Sequence, residues 1–337
     1  MSTIKDVARE AGVSVATVSR VINNTSNTSP EVTERVNQAI KKVNYMPNNL
    51  ARALVRQRAN TIGIVVNNLH DVFFHDLIKG FEVGAEQTNY NIVFCSSYGS
   101  DPKSKERYVH FLTNGVTDGI IMYGSYLTDE KIIRWLAKNN INFVLIESEV
   151  PGVPTNSLLI DNIEGAKSAV NYLASIGHKS IAFISGDPNK KDLIDRLNGY
   201  MQGMFECGLQ IHNDYIQHCT SDYKTGYQRM KNLLALKERP TAVFCANDSI
   251  ASFAIRAIQD TGLHVPDDIS IIGFDNQTLL PDDYIGPKIT TVSRPLYQLG
   301  IDSINFLTSI IEDPNHEPSK KLYKTEILIK DSTKPLT

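Results

Sequence analysis

From residue 61 onward, short runs rich in Ile, Val and Phe alternate with longer stretches of helical periodicity. This alternation restricts the fold more than any other feature of the chain. The runs fall at 61–67, 91–96, 119–123, 143–147, 158–161, 180–185, 215–218, 242–246, 270–274 and 289–292. Helical stretches lie between them, as at 74–88, 104–114, 129–139, 164–176, 196–206, 223–236, 249–261 and 296–311. β-Branched runs without polar alternation are strands buried on both faces, and a strand–helix rhythm joins such strands into parallel sheets covered by helices. So many strands predict two sheets, with the break near Pro151-Gly152-Val153-Pro154. A second passage between them is expected near 289–294. A third is expected near 320–324, feeding a last strand at 324–329. Ligands of such sheets bind beyond the carboxyl ends of the strands, here in a cleft between two lobes.

The first sixty residues follow a different period. Ile4, Val7, Ala8 and Ala11 share one helical face, and Thr3 with Asp6 has capping-box spacing. Gly12 ends this helix, because the turn that follows needs a residue tolerant of positive φ. Ser14 caps a second helix with Val18, Val21 and Ile22 facing inward. Its other face presents Val15, Ala16, Thr17, Ser19, Arg20 and Asn23, which are short and free of acid. Two helices joined by a tight glycine turn form a helix-turn-helix, and a short polar second helix fits the major groove of DNA. A third helix starts at Ser29-Pro30-Glu31, buries Val32, Val36, Ala39, Ile40 and Val43, and stops before Pro47. Asn48 to Arg58 can form one more short helix.

Charge separates these two parts. The net charge of −3 argues against a nucleic-acid binder until its distribution is considered. Residues 1–60 hold nine Lys and Arg against four Asp and Glu, a balance of +5, which leaves −8 on the remainder. A basic head on an acidic body directs phosphate attraction to the head. The opening residues lack a signal-peptide core and no run approaches a membrane span, so a cytoplasmic protein without membrane contact is expected. Cys95, Cys207, Cys219 and Cys245 lie far apart without a CxxC, and the eight histidines are scattered, so neither disulfide nor metal site is expected. No GxGxxG turn, P-loop or GxSxG elbow occurs, which speaks against an enzyme and against a nucleotide cofactor. Trp135 lies mid-helix and reads as packing.

The run Asp6-Val7-Ala8-Arg9-Glu10-Ala11-Gly12-Val13-Ser14, then Thr17-Val18-Ser19-Arg20-Val21-Ile22-Asn23, then Asn44-Tyr45-Met46-Pro47-Asn48, resembles the DNA-binding head of the LacI/GalR family of bacterial transcription regulators. The resemblance covers essentially the whole chain. It implies an α/β fold: an all-α helix-turn-helix head at 1–47, a hinge helix and linker at 48–60, and a two-lobed core of parallel sheets like periplasmic binding proteins at 61–330. The lobes would comprise about 61–159 with 292–321, and about 160–291 with 322–330. It also implies a repressor of carbohydrate-related genes, working on a double-stranded DNA operator and gated by a small-molecule effector. A global catabolite regulator partnered by phosphorylated HPr is the alternative within the family. A solute-binding receptor shares the core but not the basic head. With no leucine heptads after Ile329, a homodimer is expected.

In the head, Val15, Ala16 and Arg20 would read base edges, since Arg bonds guanine in a fork and Ala or Val meets a thymine methyl. Ser14, Ser19, Asn23, Ser29 and Tyr45 would hold the phosphates, and Thr3, Thr17 and Asn48 are expected among the DNA-binding residues. Ala51 and Leu54 would lie on the hinge helix, with Leu54 as a minor-groove wedge. In the core, Asn67, Glu147, Arg196, Asn247 and Asp275 stand at strand ends or just inside the next helix, at positions matching the family's effector contacts. Carboxylates, amides and one guanidinium suit a sugar or sugar derivative. Asp187 and Asp248 read as helix caps. Arg294 stands where relatives often hold glutamine, and it points either to a phosphorylated ligand or to a structural ion pair. Phe73 and Phe74 either wall the cleft or start the next helix. Ser221 replaces a frequent stacking aromatic, for which Tyr223 could substitute. Whether the effector releases or tightens DNA is left open by the residues.

Overall fold

The computed structural model describes residues 2–23, 28–46, 58–70, 74–97, 102–124, 126–219, 222, 224–277, 280, 284–313 and 315–336. The expectations placed on Asn48, Ala51, Leu54, Phe73, Ser221 and Tyr223, and on the side chain of Asn23, lie outside the described residues. The chain forms two compact units, Met1–Ala59 and Asn60–Thr337.

The first unit holds α1 (Ile4–Ala11), α2 (Val15–Asn23) and α3 (Pro30–Lys42). Val7, Ala8, Ala11, Val18, Val36 and Ala39 form its small core, flanked by half-buried Ile4, Val21, Ile22 and Ile40. Gly12 takes the left-handed conformation at φ 63° where α1 ends, a region open to glycine at no steric cost. Two polar contacts brace the bundle. Arg35 donates to the Ala11 carbonyl at the end of α1, and Lys42 pairs with Glu10.

The second unit contains two six-stranded sheets, ordered β11-β5-β4-β3-β1-β2 and β12-β10-β9-β8-β6-β7. The first comprises β1 (Thr61–Val66), β2 (Asn91–Ser96), β3 (Gly119–Tyr123), β4 (Phe143–Ile146), β5 (Ser157–Ile160) and β11 (Lys320–Tyr323), all parallel. Helices α4 (His75–Thr88) and α11 (Leu296–Glu312) cover one face of it, and α5 (Pro102–Thr113) and α6 (Glu130–Lys138) the other. The faces are legible within β1: Ile62, Ile64 and Val66 join one apolar cluster and Val65 the other. Helices α4 and α11 meet backbone to backbone, since a Cβ on Gly80 would stand 2.1 Å from the Tyr297 carbonyl oxygen.

The second sheet comprises β6 (Ile181–Ser185), β7 (Ile216–His218), β8 (Ala242–Cys245), β9 (Ser270–Asp275), β10 (Thr290–Ser293) and β12 (Glu326–Leu328). Only β12 runs antiparallel, against β10. Helices α7 (Asn162–Ser175), α8 (Lys191–Glu206), α9 (Thr225–Leu234) and α10 (Asp248–Gln259) enclose it around one continuous core.

The chain passes between the sheets after Ile160, at Arg294-Pro295, and at Lys324-Thr325. Two expectations need correction. The turn at 151–154 does not divide the sheets, because β5 follows it and pairs with β4 through Leu145↔Ser157 and Ile146↔Leu158. Residues 320–323 are not a bare connection but the edge strand β11, whose lysines face solvent. Among the described residues no helix is long and apolar enough to cross a membrane. All four cysteines are free.

Candidate functional site

Two groups of side chains carry chemistry, one in each unit. In the head, Thr3 donates from its amide and its hydroxyl to Asp6 Oδ2, at 2.9 and 2.7 Å. These bonds hold the Asp6 carboxyl below its usual range and fix the start of α1. Ser14 Oγ accepts from the Thr17 amide at 3.0 Å and lies 2.9 Å from the Thr17 hydroxyl, so Ser14 is the cap of α2. Beyond the cap, Val15, Ala16 and Arg20 are exposed, and Ser19 is half-buried. An exposed valine on the first turn of an amphipathic helix contributes nothing to the core, and Val18 supplies the buried contact instead. Arg20 pairs with no acid among the described residues. Ser29 caps α3 by accepting from the Val32 amide, and Tyr45 is half-buried against the core. The second helix therefore offers a cationic, acid-free face able to enter a groove of DNA.

In the core, most of the expected effector residues converge where the two sheets end. Glu147 follows β4 and accepts from the Ile160 amide (2.8 Å) and from Asn162 Nδ2 (2.9 Å). Asn162 in turn accepts from Arg196 Nε at 3.0 Å. Arg196 donates to the Ala246 carbonyl at 2.6 Å, pairs with Asp275 at 3.0 Å, and lies over the Phe274 ring with 3.8 Å from guanidinium carbon to ring centroid. Asp275 also meets Arg294 at 2.8 Å, and Arg294 reaches back to within 3.7 Å of Glu147. Both arginines and both acids are buried. Burial lifts the Glu147 carboxyl to about 7, against the pull of Arg294.

Asn247 is at the same strand ends, but its Oδ1 accepts from the Ile250 amide and caps α10. The cap expected of Asp248 thus falls one residue earlier, to the residue whose oxygen faces the free helical amides. Asp248 instead cross-links the lobe, accepting from Thr291 Oγ1 (2.7 Å) and from the Gln277 amide (2.8 Å). Burial, with Asp275 nearby, lifts its carboxyl to about 7. Asp187 makes a local turn with Asn189 and does not cap α8. Phe74 is buried in the apolar cluster and meets Tyr123 edge-on at 5.1 Å.

Asn162, Tyr123 and Asp192 take part without having been anticipated. Tyr123 ends β3 among Asp192, Arg294, Glu147 and Arg196, and burial first, then Asp192, drives its hydroxyl pKa upward. Asp192, on the first turn of α8, lines a cavity of about 170 Å³ together with Glu147, Asn162, Lys191 and Asp195. As the last residue of an apolar strand, Tyr123 carries no sequence signal beyond its hydroxyl. Asp192 lies within a run of charged residues that reads as a solvated helix start. Asn67 Oδ1, Asp192 Oδ1 and Arg196 Nη2 are among the buried atoms here that have no hydrogen-bond partner. Among the described residues no group of His, Cys, Asp and Glu could hold a metal ion.

The same two parts are recognised separately by family models. One for bacterial regulatory proteins of the lacI family matches residues 3–48, and one for a periplasmic binding protein-like domain matches residues 170–333. Along its length the chain is 35% identical, over 336 residues, to the HTH-type transcriptional regulator RegA of Clostridium saccharobutylicum; 98% of this chain and 99% of that one are covered. The chain belongs to the lacI family. It is also 34% identical to the HTH-type transcriptional repressor PurR of Vibrio campbellii, with both chains covered in full. The crystal structure of the lac repressor dimer bound to operator and the anti-inducer ONPF matches with a TM-score of 0.86 at 27% identity, covering 99% of each chain. As a lacI-family protein, the chain is a DNA-binding transcription regulator and not an enzyme. Its helical head and paired α/β lobes are the architecture of the lac repressor.

Proposed function

We propose that this regulator represses genes of carbohydrate use as a homodimer on a near-palindromic operator, and that a neutral polyhydroxy effector in the interlobe cleft gates it. The exposed face of α2, with Arg20 at its centre, supports the reading of base edges. Thr3, Ser14, Thr17, Ser19, Ser29 and Tyr45 lie in the same unit, and their hydroxyls suit phosphate contacts. RegA and PurR match almost equally well, so overall identity does not select the ligand and the cleft chemistry must.

The observation that carries the effector class is the state of the charges. Arg196 and Arg294 both engage Asp275, and three carboxylates, Glu147, Asp192 and Asp275, stand among the two guanidinium groups. A phosphate requires cations that are not already matched. Buried atoms without a hydrogen-bond partner include two acceptors, Asn67 Oδ1 and Asp192 Oδ1, and the donor Arg196 Nη2, which lies 3.8 Å from Asp192 Oδ2. A ligand rich in hydroxyls satisfies all three, because each hydroxyl both donates and accepts. Arg294 is thereby read as an ion-pair partner that fixes Asp275.

The test is a thermal-shift screen of the full-length protein with neutral sugars such as cellobiose and D-ribose beside D-glucose 6-phosphate and D-galacturonate. Operator binding is then measured with each compound that shifts the transition. Stabilisation by neutral members is expected. A response confined to the phosphorylated or acidic members overturns the reading. The sign of the operator response distinguishes release from tightening.

A further inference from the structure

One buried ion pair lies apart from the cleft cluster. Lys105, on the first turn of α5, donates from Nζ to Asp129 Oδ2 at 2.6 Å and to the Tyr123 carbonyl at 3.3 Å. The two side chains are only 3% and 2% exposed. Desolvating two charges offsets most of their attraction, so such a pair is a weak source of stability. Its geometric effect is specific, however: it anchors the segment that leaves β3 at the cleft. Above the pair, the Tyr126 ring has Lys105 Nζ 5.6 Å from its centroid and Lys190 Nζ 5.2 Å from it.

These two lysines belong to different lobes. Lys190 precedes α8 in the second lobe, and its backbone forms an isolated antiparallel bridge with Tyr126. Beside the bridge the Leu127 amide donates across the cleft to the Asn189 carbonyl at 3.0 Å. The far side of this contact is itself held. Asp187 Oδ1 accepts from the Asn189 amide (2.9 Å) and side chain (3.0 Å), and the Lys190 amide donates to the Asp187 carbonyl. A strut built by Lys105 and Asp129 in one lobe thus meets a tight turn in the other.

We infer that Tyr126 is a positioning residue for lobe closure: its ring, approached by an ammonium group from each lobe, and the adjoining Leu127–Asn189 bond clasp the lobes together. Attraction of each cation to the ring face supplies the side-chain part of the clasp. Its consequence for effector affinity rests on the effector reading above, because a clasp that favours closed lobes favours whatever the closed cleft binds. The clasp itself does not depend on that reading.

The experiment needs no ligand. Hydrogen–deuterium exchange of the full-length protein reports the Leu127 amide directly, and small-angle scattering reports the separation of the lobes. Tyr126→Ala is expected to speed exchange across 126–130 by about tenfold or more, while β3 stays protected. The radius of gyration should rise with it. Tyr126→Phe keeps the ring but removes the hydroxyl that bonds Lys190, so it should speed exchange less than Tyr126→Ala, and Lys190→Met, at a half-buried position, should open the clasp in part. Unchanged exchange at 126–130 in both Tyr126→Ala and Lys190→Met, with the fold intact, overturns the inference. Failure of the effector reading would show separately, as the absence of any thermal shift with the neutral sugars.

Discussion

The second helix of the head and the interlobe cleft use polar side chains in opposite ways. On α2, Val15, Ala16 and Arg20 are exposed, and the fold of the head is held from the other side by Val18. In the cleft, Glu147, Arg196, Asp275 and Arg294 are buried and bonded chiefly to one another and to the ends of strands. A DNA-reading surface must present unmatched groups, because phosphates and base edges come to it from solvent. A pocket that closes around a small molecule must stay ordered when empty, so its charges match each other. Substitutions should therefore separate function from stability in the head and entangle them in the cleft.

The sharpest break of that contrast would come from Arg196→Met. It keeps the volume but removes one of the two arginine partners of Asp275, the bonds to Ala246 and Asn162, and the contact with Phe274. Breaking one member of a buried pair costs about 3–5 kcal/mol, a fall in Tm on the order of 10 °C here. Calorimetry would read it. A loss of ligand response with an unchanged Tm would mean that the cleft is as dispensable to the fold as the face of α2.

Next in size is a pH effect confined to the core. Asp248 and Glu147 have folded carboxyls raised to about 7 from 3.8 and 4.5. Between about pH 4 and pH 7 the folded protein keeps protons that the unfolded chain has released, so stability falls as pH rises and the loss is complete above the folded value. Asp248→Asn can still accept from Gln277 and can donate to Thr291. It should remove its share of the slope, up to about 4 kcal/mol. The Tm difference between about pH 5 and about pH 8 should shrink, and an unaltered difference would show that Asp248 is ionised throughout.

How much of this was legible in the chain follows the same division between local and distant contacts. Strands 91–96 and 119–123 run over the residues expected of them, since their apolar runs declare themselves. Strand β11 did not, because Lys320-Lys321-Leu322-Tyr323 has only Tyr323 buried, and charged edge strands lack the apolar pattern. The caps at Thr3, Ser14 and Ser29 depend on neighbours three residues away and were readable. The ties of Arg196 to Ala246 and of Lys105 to Asp129 span 50 and 24 residues, and no spacing announces them. That the cap of α10 fell to Asn247 and not to Asp248 turned on a single residue of register at the helix start.

Smaller effects belong to the head. Arg20→Ala should weaken operator binding by about 1–3 kcal/mol, roughly ten- to a hundredfold, and relax preference at one base position. Its Tm and its thermal response to sugars should match the parent, as measured by fluorescence anisotropy beside calorimetry. Co-loss of stability would place Arg20 in the fold and weaken the contrast from the head side.

The smallest expected effect, at Ser14, is also the one that separates two roles of a single atom. Its hydroxyl caps α2 and is exposed beside the reading face. Ser14→Ala removes the cap and should cost about 1 kcal/mol in the head, whereas Ser14→Gly should cost only a few tenths. Both variants lack the hydroxyl. If Ser14 also holds a phosphate, operator affinity falls in both, beyond what the stability change of the glycine variant explains. If affinity follows stability alone, dropping in the alanine variant and not in the glycine one, Ser14 is a cap and nothing more, and the reading face begins at Val15.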